Sequence, residues 1–389
     1  MKKNGVIILC IMLLFCGCGN KTQAVIFEQT TASEITETVT ETQANISDSV
    51  SEVESVEADT DTDTEDVEES RAIVLCFAGD INFDENWPTM QCFNEQKNGL
   101  SDCISEDIIE DVKSSDLFML NNEFTYSDRG TPMEGKMYTF RAKPQRVDLL
   151  KDMGVDIVLL ANNHVYDYGK DAMLDTFDVL KEADIDYVGA GRDITEACNI
   201  VYYDIEGMKI AYVAASRAEK NRMTPQATEN SLGILRAYDS ERFIELVKEA
   251  KQNSDFVVAN IHWGTEYSYE LEAVQIELGH ALVEAGADAV IGTHPHVLQG
   301  IEIYKEVPIF YSLGNFWFNE KDLYSGYIKL SIDTTNKTIK DMTFVPCVQQ
   351  NCATRLYKDE QEEREIFDFI EDISPNVTIN NEGIITENN

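Results

Sequence analysis

Short runs of apolar residues alternate with amphipathic stretches through most of this chain. The runs have the length of buried strands, and nearly all of them end abruptly at polar side chains. They cover residues 72–78, 117–120, 155–161, 256–261, 289–291 and 307–311. Because helices are predicted between successive strands, the pattern indicates an α/β fold.

The amphipathic stretches predict helices at about 104–113, 144–153, 170–183, 240–253 and 272–285. Two pairs of stretches with strand character predict antiparallel hairpins, at 201–205 with 209–214 and at 327–333 with 338–345. Residues 216–233 are polar and irregular, which predicts a surface loop or a lid. The last forty or so residues show no strong pattern.

The first eighteen residues form a separate unit. Two lysines precede an apolar block that is too short to span a membrane, and Cys16, Gly17 and Cys18 follow it. This order resembles a bacterial lipoprotein signal peptide and predicts lipidation of Cys18, with Cys16 as the second candidate. An ordinary signal peptide or an uncleaved anchor is the alternative. The prediction for location is therefore an extracytoplasmic protein that is lipid-anchored to the cell membrane.

Residues 19–70 have the composition of a tether. They contain 15 acidic residues, a single lysine and no proline, together with much Thr, Ser and Val. Such a segment cannot bury a core, and its like charges favour an extended chain. The predicted organisation is a signal peptide at 1–18, an acidic disordered linker at 19–70, a globular domain at 71–350 and a C-terminal extension at 351–389.

Acidity is not confined to the tether. The whole chain carries a formal charge of −40, and residues 71–389 still hold 56 acidic against 28 basic residues. This charge argues against nucleic acid as a partner, because binding to phosphate backbones depends on clustered lysine and arginine. It also means that a polyanionic ligand needs cations held locally in its site.

Residues able to bind a metal follow five of the predicted strands. Four of the five histidines in the chain lie there, and only His280 lies on a predicted helix. His294 and His296 flank Pro295, which favours extended backbone at His294, so both imidazoles are expected to project together from a strand end. A polar cap and a packed loop residue are the structural alternatives for this pair. The clustering favours a metal or catalytic site, since ligands of α/β folds gather at the carboxyl ends of strands.

Six short motifs in a fixed order resemble those of the CapA-type capsule synthesis proteins, also called the poly-γ-glutamate capsule biosynthesis family. They are Gly79-Asp80, Asn122-Glu123, ANNHVYDYG at 161–169, HWGTEY at 262–267, IGTHPHVLQG at 291–300 and YSLGNF at 311–316. The resemblance covers about residues 72–320. It implies a divergent calcineurin-like metallophosphoesterase, with a metallophosphatase-like four-layer αββα sandwich of two mixed sheets and a site for two divalent ions.

The resemblance also implies roles for individual residues. The implied metal ligands are Asp80, Glu123 as the bridging carboxylate, Asn163, His262, His294 and His296. His164, beside Asn163, matches the general acid, and the two are expected to face opposite ways on extended chain. The sequence departs from the phosphoesterase pattern at Asn82, where a histidine is usual, and at Glu123, where an aspartate is usual. This mixed oxygen and nitrogen set suits Mn, Fe, Zn or Mg.

Five further residues are candidates for substrate contacts or for support of the ligands: Asn82, Asp167, Glu266, Tyr267 and Asn315. Each has a structural alternative, because loop shaping or ordinary packing would also place polar residues there. Two functions follow from the whole pattern. The first is a metal-dependent phosphoester hydrolase linked to a capsule polymer or to its synthesis and export complex. The second is a non-catalytic factor that binds the polymer or helps to assemble the export machinery.

Overall fold

Two mixed β-sheets face each other across a shared apolar core. The computed structural model describes residues 71–219 and 223–388. The predictions for the signal peptide at 1–18, including Cys18, and for the linker at 19–70 lie outside these residues. In the part that is described, no helix is both long and apolar enough to cross a membrane.

The strands, numbered in chain order, are β1 (Ile73–Ile81), β2 (Leu117–Asn122), β3 (Thr125–Tyr126), β4 (Arg141–Ala142), β5 (Ile157–Leu159), β6 (Asp186–Val188), β7 (Ala190–Gly191), β8 (Val201–Ile205), β9 (Met208–Ser216), β10 (Gly233–Ile234), β11 (Phe256–His262), β12 (Ala289–Thr293), β13 (Ile301–Tyr304), β14 (Val307–Phe310), β15 (Asn315–Trp317), β16 (Leu323–Asp333), β17 (Thr338–Gln350), β18 (Ala353–Leu356), β19 (Val377–Ile379) and β20 (Ile385–Glu387).

The helices are α1 (Pro88–Glu95), α2 (Glu106–Lys113), α3 (Asp148–Met153), α4 (Gly169–Glu182), α5 (Ile194–Ala197), α6 (Glu241–Asn253), α7 (Ala273–Ala285) and α8 (Glu360–Asp372), with short 3₁₀ turns at Gly99–Asp102 and Pro144–Val147.

Both large sheets combine parallel and antiparallel strands. The first has the order β18-β17-β16-β1-β2-β5-β6, with β15 also paired to β1, and the second has the order β13-β14-β12-β11-β9-β8. In the first sheet β1, β2, β5 and β6 run parallel. In the second sheet β9, β11, β12 and β14 run parallel. The two parallel sets carry the strand ends at which the sequence predicts a site.

The layers can be read from side chains on opposite faces of each sheet. Phe77 of β1 meets Tyr212 of β9 between the sheets, with ring centroids 6.3 Å apart. On the outer face of the first sheet, Asp111 of α2 accepts hydrogen bonds from Tyr327 and Lys329 of β16. On the outer face of the second sheet, a separate apolar cluster joins β9 and β11 to α6 and α7. The order helix, sheet, sheet, helix confirms the predicted four-layer sandwich.

Most of the predicted helices and strands are present. Their hydrophobic periodicity follows from which side chains are buried, so the sequence indicates them. The two hairpins are confirmed as β8 with β9 and β16 with β17. The prediction that the first strand ends at Gly79 is wrong, since β1 continues to Ile81. Gly79 is needed inside the strand because a Cβ there would lie 1.9 Å from the carbonyl oxygen of Gly314. The backbone just before β15 therefore lies so close to β1 that no side chain fits at position 79.

Residues 351–389 contain structure that their sequence did not predict. β18 continues the first sheet next to β17. Helix α8 begins after Asp359, whose side chain accepts hydrogen bonds from two backbone N–H groups of the first turn. Its buried face places Ile366, Phe367 and Ile370 in the main core. The segment is thus packed on the domain, although only three of its helix positions are deeply buried.

Candidate metal centre

The carboxyl ends of parallel strands from both sheets meet at one buried place. The first sheet supplies Asp80 near the end of β1 and Glu123 directly after β2. The second sheet supplies His262 at the end of β11, with His294 and His296 after β12. All five side chains are buried. The structure therefore brings together residues that are more than two hundred positions apart.

These five residues form two overlapping groups of possible metal ligands. Glu123, His262 and His294 form one group, and Asp80, Glu123 and His296 form the other. In each group the donor atoms all lie within 4.8 Å of one another. Glu123 belongs to both groups, so its carboxylate could contribute to either of them.

Unpaired buried atoms indicate that the donor set fits divalent cations. Asp80 Oδ2, Glu123 Oε1 and His294 Nδ1 are buried, and none has a hydrogen-bond partner among the described residues. Leaving such atoms unpaired costs free energy, and buried carboxylates normally pair or coordinate metals. Oxygen and imidazole nitrogen without thiolate suit Mn, Fe, Zn or Mg.

Burial also shifts the protonation of these groups. It raises the pKa of Glu123 well above its usual range, and the nearby charge of Asp80 acts in the same direction. Burial lowers the pKa of His262 and of His294, and repulsion from the neighbouring imidazoles adds to this effect. The histidines are therefore neutral, which is the form that binds metal. Burial thus disfavours the charged form of Glu123, and a bound cation would offset this cost.

Asn163 and His164 both face this centre, from the loop after β5. Asn163 Oδ1 lies 2.8 Å from His262 Nε2, and His164 Nε2 lies 3.8 Å from Glu123 Oε1. The expectation that the two would face opposite ways was wrong, because the chain turns here instead of remaining extended. Asn162 holds the turn, since its Oδ1 accepts hydrogen bonds from the N–H groups of His164 and Val165.

His164 is the first member of a short hydrogen-bonded chain. Its Nδ1 lies 2.6 Å from Oδ2 of Asp167, which is fully buried. Asp167 also accepts hydrogen bonds from the backbone N–H of Phe140 and from Lys136 Nζ. Lys136 in turn donates to the carbonyl oxygen of Asn163. Sequence reasoning missed Lys136, because it lies in an irregular segment with no pattern around it.

The backbone of the HPH segment differs from the prediction. His294 has φ of 100° and His296 has φ of 58°, so neither is extended. The segment is fixed on both sides, because Trp263 N–H donates to the Thr293 carbonyl oxygen and Tyr267 N–H donates to that of Pro295. These tertiary contacts override the local preference of a residue before proline. The imidazoles still converge, with His294 and His296 ring centroids 6.1 Å apart.

Asn121, at the end of β2, is a further functional residue. Its Nδ2 donates to Asp80 Oδ1 at 2.7 Å and to Glu123 Oε2 at 3.1 Å. Of the two opposite oxygens, Glu123 Oε1 has no hydrogen-bond partner among the described residues, and Asp80 Oδ2 lies 3.0 Å from His296 Nδ1. The signal was present in the sequence, since Asn121 lies in the same polar strand end as Glu123.

Asn82 and Asn315 lie at the edge of the centre. Asn315 pairs with Asp80 in the β1–β15 register, and its Oδ1 lies 3.0 Å from His296 Nδ1. Asn82 Oδ1 accepts the backbone N–H of Asp84. The amide nitrogens of both residues are buried and have no hydrogen-bond partner in the described chain. Asn315 therefore supports His296, whereas Asn82 shapes the turn after β1.

A cleft of about 440 Å³ opens onto the centre. His164, Asn163 and His294 form its floor, and Glu266 lies in its wall. Tyr267 lies outside this lining and is 42% exposed, with its ring centroid 5.9 Å from that of His296 and with Lys321 Nζ 3.6 Å above its ring. A ligand in the cleft would reach the histidines without any rearrangement of the core.

The comparison with known protein families decides the family. Residues 74–320 match the family described as "Bacterial capsule synthesis protein PGA_cap". The chain belongs to this family. The matched range spans the six motifs and every predicted metal ligand.

Two characterised relatives of the PGA_cap chain come from bacilli. It is 41% identical over 183 residues to "Capsule biosynthesis protein CapA" of Bacillus anthracis, an alignment that covers 46% of this chain and 44% of that protein. It is 35% identical over 247 residues to "PGA biosynthesis protein CapA" of Bacillus subtilis (strain 168), with 63% of each chain covered. The chain thus spans less than two thirds of the length of these relatives.

Solved structures with a similar arrangement include two phosphatase-type proteins. One is titled as a novel phosphatase from Mycoplasma pneumoniae, with 14% identity, a TM-score of 0.46 and coverage of 72% of this chain and 95% of that one. The other is a putative 5'-nucleotidase from Staphylococcus aureus in complex with alpha-ketoglutarate, with 17% identity, a TM-score of 0.46 and coverage of 77% and 58%.

Proposed function

We propose that this protein is a metal-dependent phosphoester hydrolase that serves the synthesis of an anionic capsule polymer. One observation carries the proposal: two groups of candidate metal ligands share the buried Glu123, and one of these groups contains His294, which lines an open cleft together with Asn163 and His164. A purely structural cluster would not leave several buried donor atoms unpaired next to solvent-accessible space.

The residues divide the work between holding ions and moving protons. Asp80, Glu123, Asn163, His262, His294 and His296 would hold two divalent ions. Such ions, when bound, acidify a water molecule and neutralise charge on phosphoryl oxygens. Asn121 orients both carboxylates, and Asn315 orients His296.

His164 has the environment of a general acid for the leaving oxygen. Asp167 accepts a hydrogen bond from Nδ1, so Nε2 faces the centre and can carry the proton that is delivered. Burial lowers the pKa of His164, and the contact with Asp167 opposes this shift. Asp80 contributes to catalysis as a ligand that fixes the position of the reacting groups.

Hydrolysis of a generic substrate tests the enzyme proposal. The full chain loaded with manganese should hydrolyse bis(p-nitrophenyl) phosphate, and His294→Ala should abolish the activity. His280→Ala is the matched control, because His280 lies on α7 and pairs with Glu302 away from the centre. If the loaded protein binds metal but cleaves no phosphoester, the alternative function as a polymer-binding or assembly factor is favoured.

The link to capsule synthesis rests on the relatives. Those from the bacilli are named for capsule and PGA biosynthesis, and one from Mycobacterium tuberculosis is named a probable polyglutamine synthesis accessory protein. Deletion of the gene in a capsulated host should reduce the capsule polymer, and complementation with the His294→Ala variant separates catalysis from assembly. Restoration of the capsule by this variant would favour assembly.

The proposed location is the outer face of the membrane, through a lipid on Cys18. The support is the order of the lysines, the apolar block and the cysteines at the start of the chain. Cys18→Ser should release the protein from the membrane fraction, whereas Cys16→Ser should leave it attached. The reverse result would move the lipidation site to Cys16.

A further inference from the structure

Arg217 lines the cleft, and none of the described residues forms an ion pair with it. It follows β9 directly, so it lies at the same carboxyl edge of the second sheet as the histidine ligands. Among the described residues, its guanidinium group forms no ion pair and no hydrogen bond; its recorded side-chain contact is with the ring of Tyr238. An unpaired arginine is notable in a protein with twice as many acidic as basic residues in its globular part.

The backbone fixes Arg217 relative to the metal centre. Its N–H donates to the carbonyl oxygen of His262 at 2.7 Å. Ser216, the residue before it, pairs in register with His262 across β9 and β11. The base of the arginine side chain is therefore one residue beyond the position that pairs with His262, at the end of β9.

Tyr238 supports the guanidinium group from one side. The Arg217 Cζ atom lies 4.7 Å from the centroid of the Tyr238 ring, a cation–π distance. The hydroxyl of Tyr238 has no hydrogen-bond partner in the part of the chain that is described. Stacking orients the planar group while leaving its N–H donors available, which is the arrangement that suits recognition of a carboxylate or phosphate.

Lys136, the second cation among the described residues that line the cleft, has a different role. Lys136 Nζ lies 2.6 Å from Asp167 Oδ1 and 3.8 Å from Glu219 Oε1, and its side chain is only 9% exposed. Its charge is already neutralised within the protein. The cleft also contains Glu219, Glu266 and Glu272. An acidic ligand would be repelled by these carboxylates except where Arg217 offsets them.

We propose that Arg217 forms an anion subsite, and that the substrates are phosphoesters with a second acidic group, a carboxylate or a phosphate, beyond the bond that is cleaved. This inference rests on the proposed function, because it takes the metal centre as the place where the scissile phosphoryl group binds. Arg217 then determines specificity, as it binds the part of the substrate that does not react.

A matched pair of probes tests the subsite by binding alone. Propylphosphonate and 3-phosphonopropionate differ by one carboxylate, and isothermal titration of the manganese-loaded full chain measures both. Wild type should bind the carboxylated probe about tenfold more tightly, the expected effect of one charge-assisted hydrogen-bonded pair. Propane-1,3-diphosphonate in place of 3-phosphonopropionate shows whether the subsite prefers phosphate or carboxylate.

Variants distinguish the effect of Arg217 on probe affinity from the effect of the overall charge of the protein. In Arg217→Gln the two probes should bind with about equal affinity. Tyr238→Ala should reduce the preference for the carboxylated probe, whereas Tyr238→Phe should retain it. Arg71→Gln makes the same charge change at the amino end of β1, opposite to Asp80, and should keep the preference. Equal affinities in wild type, no measurable binding of either probe, or a preference that survives in Arg217→Gln would overturn the subsite.

The enzyme proposal can fail separately. If wild type discriminates between the phosphonates but hydrolyses no phosphoester, the subsite stands and catalysis is wrong. If wild type hydrolyses bis(p-nitrophenyl) phosphate but binds both phosphonates equally, catalysis stands and the subsite is wrong. Retention of the melting temperature in Arg217→Gln shows that a lost preference does not arise from unfolding.

Discussion

Asp167 connects three parts of the molecule that the proposed chemistry needs in fixed positions: His164, Lys136 and the backbone of Phe140. Asp167→Asn keeps the size of the side chain but loses the charge that orients and stabilises protonated His164. We expect kcat for phosphodiester hydrolysis to fall by about 10²–10⁴-fold, the range for a lost general acid, with metal content unchanged by elemental analysis.

Asp171→Asn is the control for this prediction, because it makes the same change on the exposed face of α4. Its kcat should equal that of wild type. The double variant Asp167→Asn with His164→Gln should have a kcat only slightly below that of either single variant, since the two residues act as one unit. Fully additive losses would contradict the proposed pairing.

The convergence of the candidate ligands could be predicted from the sequence, but most of the side chains that support them could not. Asp80, Glu123 and the four histidines follow apolar runs, so their convergence follows from the rule that strand ends meet. Lys136 lies in an irregular segment, and no local pattern indicates its contacts with Asp167 and Asn163. Asn121 stands in a polar strand end that the sequence shows, but its hydrogen bond to Asp80 on the neighbouring strand does not follow from that position. Residue types that bind metal are visible in a sequence, whereas hydrogen bonds between distant side chains depend on the packed structure.

At the scale of elements, the crossing of β1 by the chain before β15 positions Asp80. Asp80 N–H donates to the Gly314 carbonyl oxygen at 2.8 Å. Gly79→Ala would place a Cβ 1.9 Å from that oxygen, so one strand must move. We expect a loss of about 3 kcal/mol or more in the free energy of unfolding, measured by urea titration.

Gly207→Ala is the comparison, in the turn between β8 and β9. Gly207 has φ of 74° and no atom within 4 Å of a Cβ built there. The substitution only places a Cβ on backbone with positive φ, so the free energy of unfolding should fall by about 1 kcal/mol. If the two variants lose equal stability, the close approach of the strands does not explain the need for Gly79.

Elements with a regular period were predicted well, and elements defined by tertiary contacts were not. The hairpins β8–β9 and β16–β17 show strand character in sequence and form as expected. Strand β15 is only three residues long, and none of the strands predicted from the sequence covers it. The left-handed backbone at His294 and His296 opposes the local effect of Pro295, so steric rules for neighbouring residues gave the wrong conformation there.

At the scale of the whole molecule, the metal centre joins the two sheets. Asp80 and Glu123 come from the first sheet, and His262, His294 and His296 come from the second. Ions bound only by the native state should add roughly 2.7 kcal/mol of stability at a hundredfold excess over Kd. We therefore expect chelation to lower the melting temperature by several degrees, and manganese or zinc to restore it.

Variants distinguish this effect from general destabilisation. His294→Ala and Asp80→Ala should blunt the response to metal, whereas His280→Ala should keep it, because His280 contacts Glu302 instead of the centre. An unchanged melting curve with chelator, together with no metal in the purified protein, would mean that the cluster does not hold ions.

The positive φ angles of His294 and His296 also determine which substitutions remove the imidazole without adding a second effect on stability. Alanine removes the imidazole but keeps a Cβ in the left-handed region, so its effect combines two losses. Glycine removes the imidazole and relieves the backbone, and should leave the protein about 1 kcal/mol more stable than the alanine variant. A mutational scan of this loop should therefore rank glycine above alanine for abundance in the cell and rank the two equally low for activity.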